Sequence, residues 1–253
     1  MPISRTRVVV GSIALVLVAG ASLYAFNVTE QFLIRDKRFR VSTPDGAPEQ
    51  VLRVTGISHA SMRAVEAVFA QDYGQSLYVV PLEERLETLR NVDWVRDASI
   101  ARVWPNRLVV NVTERTPVAF VRLQSTKFGL IDADGVILPP AKDQFFLPVL
   151  VGVKSTDELA MRHAAVERMQ RLSADLGEGV MKDVSEIDVT NAENLAITVP
   201  HNGHIVKLQL GDRNYNERYQ TFLKHSGDID SKVPGAKVMD LRLDDRITVV
   251  EAE

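Results

Sequence analysis

A lysine and two hydroxyl residues follow a glycine in Gly152-Val153-Lys154-Ser155-Thr156, the residue types that close a phosphate-binding loop. Such a loop needs a glycine directly before the lysine and another spaced ahead of it. Both are missing, and the segment reads instead as a helix N-cap. Asp132-Ala133-Asp134-Gly135 begins like a calcium loop, but Val136, Ile137, Leu138 and two prolines stand where further oxygen ligands belong, which makes it a hairpin turn. His201 and His204 have the chemistry for a shared metal, yet they flank Asn202-Gly203 with no third ligand in sight and read as exposed turn histidines. Paired carboxylates for acid–base work are possible in principle, but no pair distinguishes itself. There is no nucleophile elbow, no H-E-x-x-H and no dinucleotide-binding glycine pattern. The absence of cysteine excludes a thiol nucleophile, thiolate metal sites and disulfides. The Asn111-Val112-Thr113 sequon lies inside a strand pattern and reads as coincidence. The expectation is a protein with no catalytic residues, no cofactor and no metal.

The elements that would carry any function start with a span. Val8 to Phe26 runs without a charge, close to the ~20 apolar residues a helix needs to cross a bilayer, with Arg5 and Arg7 before it. A cleaved signal peptide is the rival reading, since Ala19 and Ala21 follow an apolar stretch from Val8 to Val18. The apolar run continues through Leu23, Tyr24 and Phe26, which favours an anchor with aromatic residues at the headgroups. Arg35, Lys37, Arg38 and Arg40 outnumber Glu30 and Asp36 beyond the span, so charge alone does not orient it. A net charge of -3 over 253 residues offers no general basic surface, and no nucleic-acid partner is expected.

Residues 28–48 read as a juxtamembrane linker with a Thr43-Pro44-Asp45-Gly46 turn and Pro48. A strand over Val51 to Ile57 follows, then a helix carrying Met62, Val65, Val68 and Phe69, then a second helix with Pro81 at its first position and Leu82, Leu86 and Leu89 in one stripe. Trp94 to Val103 and a strand with Leu108, Val110 and Val112 on one face pair across Trp104-Pro105-Asn106. From about Thr116 a second unit begins, with strands over Ala119 to Leu123, Phe128 to Asp132 and Val136 to Leu138. A helix capped by Ser155 and Glu158 runs to Gly177. Val184 to Val189, Leu195 to Val199 and His204 to Leu210 form a meander, and Asn214 with Glu217 opens a helix bearing Tyr215, Tyr219 and Phe222. Lys237 to Leu243 and Arg246 to Glu251, separated by Asp244-Asp245, are final strands. The fold class is α+β: one transmembrane helix, a β-α-α-β-β module and a mixed α/β domain ending in an edge strand.

The stretch from Val54 to Pro117 resembles a POTRA domain. Trp94-Val95, Arg102, Trp104-Pro105, Leu108, Val110, Val112, Glu114-Arg115 and Pro117, with Val54 and Gly56 opening the module, resemble the pattern of the FtsQ/DivIB cell-division family. The likeness continues through Leu130-Ile131-Asp132 with Gly135, Leu210-Gly211 with Arg218 and Phe222, and Val238-Met239-Asp240-Leu241-Arg242. It implies a cytoplasmic tail over 1–7, a transmembrane helix over 8–27 in contact with the lipid bilayer, a linker over 28–48, a POTRA domain over 49–117 and a β-rich FtsQ-type domain over 118–253. The implied protein is a single-pass inner-membrane scaffold of the division machinery with periplasmic domains, concentrated at the septum. Its POTRA domain would take part in recruitment, and its C-terminal strand would bind partners of the FtsB and FtsL type.

The physical route would be strand addition, and the contact residues would lie among Leu241, Arg242, Leu243, Arg246, Ile247, Thr248, Val249 and Val250. Leu243, Ile247 and Val249 would supply apolar contacts, Arg242 and Arg246 would meet acidic groups, and a proline at Thr248 would remove a ladder donor needed for capture. Two other readings stand beside it. A POTRA-bearing outer-membrane assembly or secretion factor would show tandem modules or a long barrel pattern, neither of which is present. A membrane-anchored periplasmic hydrolase would show converging carboxylates or histidines in a pocket.

Overall fold

The computed structural model describes residues 5–41, 51–124, 127–243 and 246–250. The expected turns at Thr43-Pro44-Asp45-Gly46 and Asp244-Asp245, together with Pro48, lie outside the described residues. The chain divides into two compact units, Met1–Glu114 and Arg115–Glu253.

The first unit opens with helix α1 (Arg5–Arg35), of which Ser12–Arg35 is apolar and long enough to cross a membrane, and whose apolar stretch from Ser12 to Thr29 is exposed. The hydroxyls of Ser22 and Thr29 donate to the carbonyls of Val18 and Ala25, so these polar groups are satisfied within the helix, as a bilayer requires. The helix continues through Val28 to Arg35, so that part of the expected linker is helical. No proline or glycine interrupts the run after Phe26, and Asp36 stops it by capping a short 3-10 turn over Lys37–Phe39.

Strand β1 (Leu52–Thr55), helices α2 (Met62–Val68) and α3 (Leu82–Arg90), and strands β2 (Val95–Val103) and β3 (Arg107–Glu114) follow in the predicted order. The sheet runs β1-β3-β2, with β1 parallel and β2 antiparallel to the central strand. Alternation places Leu108 and Val110 in the core beside Val65, Phe69, Leu77 and Leu89. Pro81 is one position earlier than expected, at the N-cap of α3. The stripe of α3 also carries a group that periodicity does not announce: Arg85 is buried and forms a two-pronged ion pair with fully buried Asp72, at 2.7 and 2.8 Å. Arg102 donates to the carbonyls of Leu77 and Val80, satisfying backbone ahead of α3. Gly56 has φ +82°, and a side chain there would meet the carbonyl oxygen of Val112.

The second unit holds β4 (Pro117–Gln124), β5 (Lys127–Asp132), β6 (Ile137–Leu138), β7 (Val149–Val151), α4 (Leu159–Leu176), α5 (Glu178–Met181), β8 (Glu186–Asp188), β9 (Leu195–His201), β10 (His204–Gly211), α6 (Tyr215–Lys232), β11 (Val238–Asp240) and β12 (Thr248–Val250). Among the described residues the sheet order is β12-β11-β10-β9-β8-β7-β4-β5-β6. The meander β8-β9-β10 is antiparallel, turning at Asn202-Gly203 with both residues at positive φ. Val166 and Leu172 of α4 and Phe222 of α6 close over Ile187, Ile197, Leu208 and Met239. Two caps differ from expectation. The Asp157 carboxylate accepts from the Lys154 N–H and holds Lys154–Asp157 in a turn, so Ser155 caps nothing and α4 begins at Leu159. Asn214 sits in the left-handed region without a side-chain cap, and Asp175 of α4 accepts from the Asn216 N–H instead.

Adjacent residues fasten the two units internally. Glu114 accepts from the backbone N–H groups of Ser58, His59 and Ala60 and pairs with the His59 ring, which stacks on Trp94 at 4.6 Å. Arg115 instead reaches Asp132 at 2.6 Å and Asp134 at 3.2 Å, and Asp132 also accepts from the Asp134 and Val136 N–H groups. Burial pushes the Glu114 carboxyl up, but those donors outweigh it and hold it below the ordinary glutamate value. A carboxyl depressed on folding stabilises above its unfolded-chain value of about 4.3 and loses that contribution as pH falls through the lower folded value. Glu114→Gln is expected to lose about 1–3 kcal/mol near neutral pH and to flatten the stability profile below about pH 4.3. Both tryptophans lie in this unit, so denaturant titrations followed by their emission at several pH values check it. Leu108→Asp, placing a charge at a fully buried position, should cost at least about 3 kcal/mol and abolish the cooperative transition of the same signal.

Candidate partner-binding site

The end of the second sheet is assembled by one buried guanidinium. Arg218 of α6 donates to the carbonyls of Leu210 (2.5 Å) and Arg242 (2.9 Å). Leu210 lies where the β9–β10 register shifts, a bulge that leaves a carbonyl out of the regular ladder. Gly211, at φ +77°, leaves room for the guanidinium, which would stand 2.6 Å from an added Cβ. Arg218 thus ties the end of β10, the helix that leaves it and the exit from β11. Immediately before that exit, Asp240 accepts from the side chain and backbone N–H of Arg242, and the Arg242 guanidinium holds the Asp240 carboxyl below its usual range.

The backbone directions of the last two strands follow from their neighbours. The Lys237 carbonyl accepts from the Lys207 N–H, and the Leu241 N–H donates to the Gln209 carbonyl. Alternate residues of a strand send their N–H and C=O groups to opposite sides. Lys237, Met239 and Leu241 therefore face β10, while Val238 and Asp240 face β12. Their register partners are Val250 and Thr248, whose backbone groups point into the sheet. Val249 opposes Met239 as a non-bonded pair and sends its N–H and C=O outward, and no described strand lies beyond β12.

Side chains sort accordingly. Leu241 is 2% exposed and belongs to the core, so it offers a partner no side-chain surface. Ile247 and Val249 are half-buried against the same core. Thr248 and Val250 are exposed on the opposite face, and Leu243, which shares a hollow with Ile247, is 52% exposed. Arg242 is engaged by Asp240. Two hollows run along α6 where it meets this segment. One of about 230 Å³ includes Glu217, Thr221, Leu243 and Ile247; another of about 300 Å³ includes His225, Lys232, Arg246 and Ile247. The Thr248 N–H is a ladder donor that serves β11, and the outward donor belongs to Val249.

The groups weighed for chemistry are tied into the fold elsewhere. Asp132 is engaged by Arg115 and backbone, and Lys154 sits in the turn before α4. His201 is not an exposed turn residue: its ring bonds Asp230 of α6 at 2.9 Å and packs edge-on against Phe222. His204 stands 5.7 Å from it, ring to ring, and is also partly buried. The sequence pattern missed these contacts because they join a hairpin tip to a helix some thirty residues further on.

Two family models match the chain. One, described as POTRA domain, FtsQ-type, matches residues 49–115, and the other, described as cell division protein FtsQ/DivIB, C-terminal, matches residues 119–242. The chain is similar to the cell division protein FtsQ of Koribacter versatilis, 31% identical over 216 residues that cover 83% of this chain and 60% of that protein. It is also similar to FtsQ of Bordetella pertussis, 31% identical over 111 residues, 44% of this chain and 41% of the relative. The matched region therefore spans less than two thirds of the length of either relative. The solved extracytoplasmic domain of DivIB from Geobacillus stearothermophilus aligns over 48% of this chain and 98% of its own at 19% identity and a TM-score of 0.29.

Arg218→Met would leave the carbonyls of Leu210 and Arg242 without this donor, and a loss of about 2–4 kcal/mol is expected. Hydrogen exchange should rise first at residues 238–250; unchanged protection there would show that Arg218 does not anchor the edge.

Proposed function

The chain belongs to the FtsQ/DivIB family of bacterial cell-division proteins, and from that premise we propose that it is a non-catalytic scaffold that captures division partners by strand addition at β12. The supporting observation is the outward-facing backbone of Val249 on a strand with one neighbour among the described residues. An incoming extended segment would pair with that backbone, set the exposed Thr248 and Val250 side chains against its own, and place apolar residues over Leu243 and the hollows along α6. Partners of the FtsB and FtsL type are the proposed occupants. In this reading α1 is a single-pass anchor in the inner membrane, the N-terminus is cytoplasmic, both units are periplasmic, and the protein is concentrated at the septum. The POTRA unit over 49–117 contributes to recruitment, and the β-rich domain over 118–253 carries the edge.

Proline at each of two neighbouring positions tests the route. Val249→Pro removes the outward donor at a position where an edge strand tolerates proline, and leaves the β11–β12 bonds of Thr248 and Val250 in place. Binding of the full chain in nanodiscs to the periplasmic segments of FtsB and FtsL should weaken about tenfold, the equivalent of one lost backbone bond, while the unfolding midpoint stays. Thr248→Pro should lower both, because its donor holds β12 itself. Wild-type affinity in a folded Val249→Pro protein would rule out strand addition at this edge.

A further inference from the structure

A second surface lies at the other end of the chain, where the POTRA unit meets the end of α1. The Leu33 carbonyl accepts from the Ser76 hydroxyl at 2.7 Å, and Phe39 and Val41 exchange backbone bonds with Gly74, Gln75 and Leu77. The module is thus bonded directly to the last turn of the helix and to the segment after it. Through this contact an aromatic chain forms: Phe32 of α1 meets Phe39 edge-on at 5.7 Å, and Phe39 meets Trp104 edge-on at 5.5 Å. Trp104 is at the β2–β3 hairpin corner and remains 48% exposed, next to half-exposed Val103.

Length sets the depth of this chain. The charge-free run Val8 to Thr29 within α1 is 22 residues, about 33 Å of helix, close to the ~30 Å hydrocarbon core. The charge-free run ends before Glu30, so the final turn from Phe32 to Arg35 falls in the headgroup layer. Trp104 is joined to Phe32 through Phe39 by two ring contacts, which keep it within about 11 Å of that turn and in reach of the layer where indole is favoured because one edge is apolar and the other wet. The charges there are mainly basic. Asp36 is engaged by Arg38 at 2.8 Å, while Arg35, Lys37 and Arg40 make no ion pair among the described residues and are exposed.

We propose that Val103 and Trp104 of the hairpin corner, with Phe32 and Phe39 behind them and Lys37 and Arg40 beside them, form a lipid-headgroup site that seats the POTRA unit on the membrane crossed by α1. The ligand is the anionic phosphate headgroup, drawn by the cations, while the aromatic corner enters the boundary with the acyl chains. The occupant follows from continuity: the surface begins on the last turn of the spanning helix itself. The proposal depends on α1 spanning the membrane and holds for either orientation of the span.

The test reconstitutes the full chain into vesicles of phosphatidylethanolamine and phosphatidylglycerol containing lipid brominated near the headgroup. Trp94 is 3% exposed and serves as the internal background, so the difference between wild type and Trp104→Phe isolates Trp104. The expected result is bromine quenching of that component, lost in Lys37→Glu/Arg40→Glu and in vesicles of phosphatidylcholine alone. An unquenched Trp104 in protein that resists alkaline carbonate extraction would overturn the proposal with the span intact. Release by carbonate would instead show that α1 does not span, and the proposal would fall with it. Quenching equal in anionic and neutral vesicles would overturn the headgroup selectivity.

Discussion

The buried guanidinium of Arg218 is the interaction on which the C-terminal half of the second unit depends. A helix inserted between two parallel strands must return the chain to the sheet at the correct height, and Arg218 does this by holding the carbonyl before the helix and a carbonyl after β11 from one side chain. A planar donor with fixed angles suits this task better than a flexible ammonium. The bulge at Leu210 and the missing side chain at Gly211 make the space and the acceptor. With the exit of β11 located, the register of β12 is constrained, and register decides which backbone groups face outward.

A sheet edge is normally a hazard that proteins blunt with short strands, charge or proline. Here β12 is three residues long, and its outward bonding capacity in that strand is concentrated at Val249. So small an edge offers little to a stranger, which shifts discrimination to the side chains around it: Thr248 and Val250 on one face, Leu243 and the α6 hollows nearby. In the proposed strand addition, backbone pairing would supply a generic component of affinity, and the surrounding surface the choice of partner.

Glu114 and Arg115 divide their attention between two units. The carboxylate gathers three consecutive N–H groups of the first unit, and the guanidinium takes the Asp132 turn of the second. Each unit closes its own end at the point where the chain passes from one to the other. The dipeptide therefore does more than end a strand.

Local patterning was legible in the sequence because it depends on near neighbours. Alternation at Leu108, Val110 and Val112, the Asn202-Gly203 turn, the apolar run of α1 and the order of elements in the first unit all follow from period and turn chemistry. Strand β7 was not legible, since three residues carry too little period to separate a strand from a loop. The caps at Ser155 and Asn214 were misread because the Asp157 carboxylate folds Lys154–Asp157 into a turn ahead of α4, and because Asp175, distant in the chain, takes the Asn216 donor. The sequence by itself determined that the chain has an apolar span, a β-α-α-β-β module and a β-rich second unit with a final strand. Tertiary structure alone decided that Leu241 is core, that Arg85 and Arg218 are buried, and that Val249 rather than Thr248 faces outward. These are questions of register and of contacts between residues far apart in the chain, and one residue of slip reverses the answer without changing the pattern.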